Sequence, residues 1–259
     1  MEKIASRRNP LCAHMRKLGV SKTYREACGQ FLCDGIKLLE EAVKCDADVK
    51  AVLTSAPIPF PLSIDTQVYF AERSIIDSIS PLKNAQEILF TCRIPGIPEI
   101  TGNARIMGVR ILLDGIQDPG NVGTIIRTAD ALGVSSVIMT GECADPYNPK
   151  TVRATMGALF RQSISRLSIS ELTQLSSRTR FIAAVPDADN PDVSQVDFND
   201  SVIVIGSEGR GISPEVLSLC CEKTFIPISP ECDSLNASVA AAIMMWEARR
   251  KRDALMRGE

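Results

Sequence analysis

A chain of 259 residues is long enough for one large domain or two ordinary ones. Apolar residues make up 45% of it and charged residues 23%, which is typical of a globular protein, and the net charge of −2 is small. No apolar run approaches the ~20 residues of a membrane span. Charges also interrupt the first residues before any long apolar stretch, so neither a signal peptide nor a membrane partner is predicted.

Nine cysteines would suggest redox or metal chemistry if their spacing allowed it. No C-x-x-C pair occurs, and His14 is the only histidine. Zinc sites require such ligands at close spacing, so no metal is predicted. Reduced, mostly buried thiols in a cytoplasmic protein are the expectation.

Positive charge is concentrated at the start of the chain. Residues 1–30 carry seven Lys or Arg against two Glu, so the local charge is 7 − 2 = +5. The basic residues are Lys3, Arg7, Arg8, Arg16, Lys17, Lys22 and Arg25. A basic module of this kind can bind a polyanion, and a solvated helix face explains the same charges equally well.

Short helix and strand patterns alternate over residues 1–94. "IKLLEEAVKC" (36–45) predicts an amphipathic helix with Ile36, Leu39 and Val43 on one stripe and Leu38 and Ala42 beside it. Strands are predicted over 49–55, 66–71 and 88–94. "PGIPEITGN" (95–103) has two prolines, two glycines and no periodicity. We therefore predict a domain over 1–94, a linker over 95–104 and a second domain over 105–259.

The second domain has longer units. Apolar runs lie at 109–113, 134–139, 181–185, 202–205 and 224–228, with helical patterns between them. Such alternation predicts an α/β fold with a parallel sheet covered on both faces.

A glycine-bearing turn, "GIQDPGNVG" (115–123), follows the first of these runs. It lacks both the Lys-Ser/Thr of a P-loop and the spacing of a dinucleotide fingerprint. In the helix that follows, Gly120, Gly123, Thr124 and Arg127 are spaced to share one face. This face predicts a functional surface, with close helix packing and a surface ion pair of Arg127 as the alternative.

Two later stretches also place polar residues where open α/β sheets bind ligands. "VIVIGSEGRGISPEV" (202–216) sets Glu208 in a glycine-rich turn, followed by a helix start with Ser213 as N-cap and Pro214 at the first position. "DSLN" (233–236) precedes an alanine-rich helix that Ser234 or Asn236 could cap.

Together, "NVGTIIRTADALG", "VIVIGSEGRGI" and "IPISPECDSLNASVAAAI" resemble the three signature motifs of the SpoU (TrmH-like) RNA 2′-O-ribose methyltransferases. The resemblance covers roughly residues 105–257. Residues 1–94, with "SRRNPLCAHMRKL" and "FLCDGIKLLEEA", resemble the small substrate-binding domain of many members, which is similar in fold to a ribosomal protein.

The resemblance implies methyl transfer from S-adenosyl-L-methionine to a ribose 2′-OH of structured RNA. It also implies a parallel-sheet α/β catalytic domain with a trefoil knot. Family members are homodimers through the knot, and helix 236–250 is the candidate interface. Large-subunit rRNA is the preferred substrate; tRNA is the alternative.

Motif positions carry over residue by residue. The catalytic residues implied are Arg127, Asn121, Glu208, Ser234 and Asn236. The cofactor-binding positions implied are Thr140, Gly141, Gly206, Ile226 and Leu235. The resemblance implies that Arg127 activates the hydroxyl, and two roles are open: a desolvated base, or a cation that stabilises the developing alkoxide.

RNA phosphates could be bound by Arg7, Arg8, Arg16, Lys17 and Arg25. One position departs from the family pattern, because Pro230 stands where members often have glycine, which predicts a different shape for the cofactor loop. Two other functions remain as hypotheses. A non-catalytic ribosome-assembly protein would bind RNA without transferring methyl, and a nucleotide-dependent oxidoreductase would bind NAD.

Overall fold

The computed structural model describes residues 2–82, 85–96 and 107–257, in which the chain forms two compact units. The first unit is built from the residues up to Gly96 together with Asp145–Arg161, and the second from the rest of the described chain. Residues 145–161 therefore pack within the first unit, although the predicted domain limits place them in the second. Residues 97–104 of the predicted linker lie outside the described residues.

The helices and strands of the described residues follow in chain order. The strands are β1 (Glu2–Ile4), β2 (Gln30–Asp34), β3 (Val49–Thr54), β4 (Gln67–Ala71), β5 (Ile88–Arg93), β6 (Arg110–Asp114), β7 (Ser136–Thr140), β8 (Ile164–Arg166), β9 (Arg180–Ala184), β10 (Ser201–Gly206) and β11 (Glu222–Thr224). The α-helices are α1 (Pro10–Val20), α2 (Lys22–Cys28), α3 (Ile36–Lys44), α4 (Arg73–Asp77), α5 (Pro119–Leu132), α6 (Pro149–Ala154), α7 (Ile169–Ser176), α8 (Pro214–Leu217) and α9 (Ala237–Arg257).

The first unit contains a five-stranded mixed sheet in the order β1-β4-β3-β5-β2. Strand β5 runs antiparallel to both β2 and β3, while β4 runs parallel to β1 and β3. The core includes Met15 and Leu18 of α1 packed with Leu32 and Leu53 of the sheet. The three strands and the helix predicted from residues 36–94 are confirmed to within two residues.

The second unit contains a six-stranded sheet in the order β11-β9-β10-β6-β7-β8, and every pairing in it is parallel. This confirms the predicted parallel-sheet α/β fold. The middle residues of the central strands β6, β7 and β10 are apolar and buried, as expected where both faces of a sheet are covered.

Helix α5 follows the central strand β6 and begins as its sequence predicts. Asp118 is the N-cap, accepting a hydrogen bond from the backbone N–H of Asn121 at 2.8 Å, and Pro119 occupies the first helical position. The helix ends at Leu132 and is followed by Gly133 as its C-cap, whose φ of +68° is the left-handed conformation common at that position. The apolar spacing predicts a buried stripe of Val122, Ile125, Ile126, Ala129 and Leu132; the first four are buried, and Leu132 is only partly buried.

One strand prediction is wrong in its limits. The apolar run 224–228 was expected to be a strand, but β11 pairs through Glu222–Thr224 and the chain then leaves the sheet. The prolines at 227 and 230 explain the exit, because proline cannot donate a ladder hydrogen bond. Among the described residues, no helix has the length and apolar character needed to cross a membrane.

Candidate active site

Three residues lie side by side at the carboxyl end of the second sheet. Gly206 of β10 is in register with Asp114 of β6, and Asp114 is in register with Thr140 of β7. The loops after these strands therefore begin at one edge, and open parallel sheets bind their ligands there.

Asn121 comes from the loop and helix that follow β6. It lies in the first turn of α5, where the Asp118 cap fixes its backbone. Its side-chain amide donates a hydrogen bond to Glu208 Oε1. Two motif residues that are 87 positions apart in sequence are thus joined directly.

Glu208 is held at the tip of a tight hairpin after β10. Ser207 and Gly211 exchange both backbone hydrogen bonds, at 2.9 and 3.1 Å. Gly206 is required by this hairpin, because a Cβ at that position would lie 2.1 Å from the carbonyl carbon of Gly211. The requirement for glycine at 206 therefore comes from backbone packing, which presents the Glu208 carboxylate at the sheet edge.

Asn236 completes the group from the third motif. Its Oδ1 accepts hydrogen bonds from the backbone N–H of Ser238 at 2.9 Å and from the Ser238 hydroxyl at 2.7 Å, so Asn236 caps α9. Its amide nitrogen donates to Asn121 Oδ1 at 3.2 Å. A continuous chain of hydrogen bonds thus runs from the start of α9 through Asn236 and Asn121 to Glu208.

Two predicted catalytic residues stand apart from that chain. Arg127 is exposed on α5, and within the described residues its guanidinium has no hydrogen bond or ion pair. The alternative of a surface ion pair for Arg127 is therefore not supported. Gly123 is buried, whereas Gly120, Thr124 and Arg127 are exposed, so only three of the four grouped residues share the open face. Ser234 is exposed in the loop before α9.

A cavity of about 430 Å³ adjoins Glu208 at the same sheet edge. It is lined by Asp114, Gly115, Gln117, Gly141, Glu142, Ser207, Glu208, Gly209, Arg210, Gly211, Ser213 and Pro214. The sequence-based analysis did not select Asp114 or Arg210. A signal for Asp114 was available, because it is a carboxylate that ends the apolar strand "VRILLD" at a ligand-binding edge.

The predicted cofactor positions relate to this cavity in different ways. Gly141 lines it, and its φ of +60° is one that glycine adopts freely. The Thr140 side chain is buried and donates to the Leu167 carbonyl at 2.9 Å. Ile226 and Leu235 lie in the segment between β11 and α9 and are outside the lining set.

Pro230, where the sequence predicts a different shape for the cofactor loop, lies in a turn. The backbone N–H of Cys232 donates to the Ser229 carbonyl at 2.9 Å, so residues 229–232 form a turn with Pro230 in its second position. Proline is favoured at the second position because its fixed φ suits the turn. The turn's hydrogen bond does not use the backbone N–H of that position, so proline's lack of an N–H has no cost.

The cysteines near this edge act as packing groups. Cys143 donates to the carbonyls of Thr140 and Leu113 at 3.1 and 3.3 Å, and burial raises the pKa of its thiol. Burial also raises the pKa of Cys220 to about 12. All nine thiols are free, and among the described residues no group of three ligands could hold a metal ion.

The predicted RNA-contacting residues differ in their accessibility. Arg7, Arg8 and Lys17 are exposed and Arg16 is partly exposed. The prediction for Arg25 is wrong, because its side chain is only 3% exposed. Its guanidinium donates to Asp145 Oδ2 at 2.5 and 2.9 Å and to the Leu18 carbonyl at 2.6 Å, within the first unit. A phosphate cannot reach a group that is buried and engaged in this way.

Comparison with known proteins gives a consistent result. The SpoU rRNA Methylase family matches residues 108–246 of this chain. The 23S rRNA (guanosine(2553)-2′-O)-methyltransferase RlmP of Bacillus subtilis is 29% identical over 253 residues, covering 96% of this chain and 100% of that protein.

Solved structures extend the likeness to both units. An AdoMet-bound rRNA methyltransferase from Sinorhizobium meliloti is similar with a TM-score of 0.84 and 28% identity, covering 96% of this chain and 98% of the other. The SpoU methyltransferase AviRb from Streptomyces viridochromogenes, in complex with the cofactor AdoMet, has a TM-score of 0.84 and 27% identity over 95% of this chain and 99% of its own.

Proposed function

Because this chain belongs to the SpoU rRNA Methylase family, we propose that it methylates a ribose 2′-hydroxyl of large-subunit rRNA with S-adenosylmethionine as the methyl donor. The observation that carries the proposal is the hydrogen-bonded chain of Asn236, Asn121 and Glu208 beside the cavity. Three stretches that are far apart in sequence supply these side chains, and each stretch is one of the family's motifs.

The cavity fits the cofactor in size and chemistry. A volume of about 430 Å³ lies within the range of small-molecule sites. Its walls offer backbone groups beside glycines and several charged side chains, as required for a polar cofactor that carries a sulfonium and an ammonium group. When bound, S-adenosylmethionine supplies an electrophilic methyl group. In this proposal Gly206, Ile226 and Leu235, which lie outside the cavity lining, hold the cofactor through their backbones, with Gly141 and Thr140 at the pocket edge.

Arg127 acts on the RNA as a cation. A guanidinium has a pKa above ~12 and is a poor base, whereas an exposed and unpaired one can bind a phosphate and stabilise negative charge on the 2′-oxygen. The hydroxyl proton can then leave to water. Glu208 and the two asparagines keep the loops around the reacting oxygen in place, and Ser234 positions the ribose by a hydrogen bond.

Substrate selection belongs to the N-terminal part in this proposal. Exposed Arg7, Arg8 and Lys17, with Arg16, supply phosphate contacts, and the domain over 1–94 has the role of a ribosomal-protein-like RNA-binding module. In this proposal the second unit is the catalytic domain, and its C-terminal segment forms a trefoil knot.

We further propose that the protein is a homodimer in which helix α9 contributes to the interface. Val239 and Trp246 are large apolar side chains that are 45% and 55% exposed, and with Ile243 they form one stripe. Trp246→Glu is expected to convert the dimer to a monomer in sedimentation equilibrium. Leu255→Glu is the matched control, because Leu255 is 62% exposed but lies half a turn away around the helix. Dissociation by the control alone, or a monomeric unmodified protein, would contradict the interface.

The reaction is tested by incubating the purified protein and S-adenosylmethionine separately with unmodified rRNA and unmodified tRNA. Digestion to nucleosides and mass spectrometry then detect the product. A 2′-O-methylnucleoside from rRNA alone is expected, since rRNA is the substrate named for the relative over the whole chain. Product from tRNA alone would show that the substrate is tRNA and not rRNA. RNA binding without product from free rRNA or from ribosomal particles would favour a non-catalytic assembly role.

A further inference from the structure

Asp114 is a buried carboxylate that the motif residues do not include. It is the last residue of β6, is 6% exposed and lines the cavity. Its Oδ2 accepts a hydrogen bond from the backbone N–H of Ser213, the N-cap of α8, at 2.6 Å. Across the described chain, no donor reaches its other oxygen, Oδ1.

A carboxylate oxygen can accept hydrogen bonds from more than one donor, and within the described residues no donor occupies Oδ1. The surroundings leave Oδ1 open on the cavity side. A Cβ built on Gly141 would lie 3.4 Å from Oδ1, and glycine leaves that space free. Oδ1 is therefore available to a hydrogen-bond donor that enters the cavity.

The charges around the cavity define the kind of group that fits. Besides Asp114, its charged lining residues are Glu142, Glu208 and Arg210. Three carboxylates against one guanidinium disfavour an anion at this position and favour a hydrogen-bond donor or a cation. S-adenosylmethionine carries such donors in both halves, as hydroxyl and amino groups on the adenosyl half and as an ammonium on the methionyl half.

We infer that Asp114 Oδ1 binds S-adenosylmethionine directly by accepting a hydrogen bond from one of these donors. This inference rests on the proposed function. Asp114 thus has two roles on its two oxygens: Oδ2 ties the start of α8 to the sheet edge, and Oδ1 binds the cofactor.

Asp114→Asn separates the two roles. The carboxamide oxygen of asparagine can still accept a hydrogen bond from the Ser213 N–H. Its NH₂ group replaces Oδ1 and places a hydrogen-bond donor opposite the donor of the cofactor, so that hydrogen bond cannot form. We expect S-adenosylmethionine and S-adenosylhomocysteine to bind about 10- to 100-fold more weakly by isothermal titration calorimetry, with the thermal midpoint of the free protein little changed.

Asp34→Asn is the matched control. Asp34 also ends a strand, β2 of the first unit, but both of its oxygens are satisfied within the chain, by Ser80 Oγ at 2.8 Å and by the Gln86 N–H at 2.9 Å. Its amide variant is expected to bind the cofactor as the unmodified protein does. The same titrations with 5′-methylthioadenosine, which lacks the amino-acid half, identify the donor. If Asp114→Asn weakens this ligand too, the donor is adenosyl; if not, it is the ammonium.

Unchanged cofactor affinity in folded Asp114→Asn would overturn the inference and leave the proposed function standing. Failure of the unmodified protein to bind the cofactor would overturn both. If Asp114→Asn does not fold, a crystal structure of the unmodified protein with S-adenosylhomocysteine decides. A donor atom within about 3.2 Å of Oδ1 supports the inference, and any other placement of the ligand contradicts it.

Discussion

Arg127→Ala is expected to lower kcat for 2′-O-methylation by about 100- to 1,000-fold, the loss seen when one stabilising group is removed from a developing oxyanion. Cofactor affinity should stay within about twofold, since Arg127 is exposed on α5 and is outside the lining of the cavity. Single-turnover methyl transfer from labelled S-adenosylmethionine measures the rate, and calorimetry measures the affinity. A similar loss in both would place Arg127 in the cofactor site instead.

Arg127→Lys distinguishes the two roles of this side chain. Lysine keeps the positive charge but not the planar set of donors, so a cation that binds phosphate should retain part of the rate. If the side chain at position 127 acts as a base, the Arg127→Lys variant should show a different pH dependence of the methylation rate. The reason is that an amine loses its proton at a lower pH than a guanidinium does. We expect partial activity with an unaltered pH profile between pH 7 and 9. A profile that shifts with the substitution would show that the side chain removes the proton itself.

The contacts that determine the local structure of the second unit lie close together in sequence, and there sequence analysis succeeded. The cap at Asp118, the proline after it and the apolar spacing of Val122, Ile125 and Ile126 all act within one or two turns of α5. The same holds for Ser213, which caps α8 through the Val216 N–H. Alternating apolar runs and helices likewise predicted the parallel sheet, since buried strands need little else to be recognised.

The pairing of motif residues could not be predicted in the same way. Asn121 contacts Glu208 and Asn236 because β6 lies beside β10 in the sheet. The hydrophobic pattern of the sequence predicts where strands lie along the chain but not which strands are neighbours in the sheet. In helix α3, the spacing predicts a stripe of Ile36, Leu39 and Val43 with Leu38 and Ala42 beside it. Leu38, Leu39 and Ala42 are buried, whereas Ile36 and Val43 are partly exposed. The apolar face of α3 is wide, and the part of it that becomes buried depends on what packs against the helix. The sequence alone therefore did not decide which of these apolar residues are buried.

Arg25 is the clearest case of a residue whose role depends on a distant part of the chain. In sequence it is one of seven basic residues near the N-terminus, and nothing local distinguishes it from Arg16 or Lys22. Its partner, Asp145, lies 120 positions later. The pairing becomes visible only once Asp145–Arg161 is seen to pack within the first unit.

Arg25→Ala is expected to destabilise the first unit by about 3–5 kcal/mol, because it leaves the carboxylate of Asp145, itself 12% exposed, without its cation. The Leu18 carbonyl also loses its donor. Urea denaturation followed by far-UV circular dichroism measures the change.

Lys22→Ala on the same helix is the control, since the Lys22–Glu26 pair is 51% and 63% exposed and should contribute at most about 0.5 kcal/mol. Replacing both Arg25 and Asp145 with apolar residues should recover part of the loss, since no buried charge is then left unpaired. A stability equal to that of the Lys22 variant, with weaker RNA binding, would instead restore Arg25 to the RNA-contacting set.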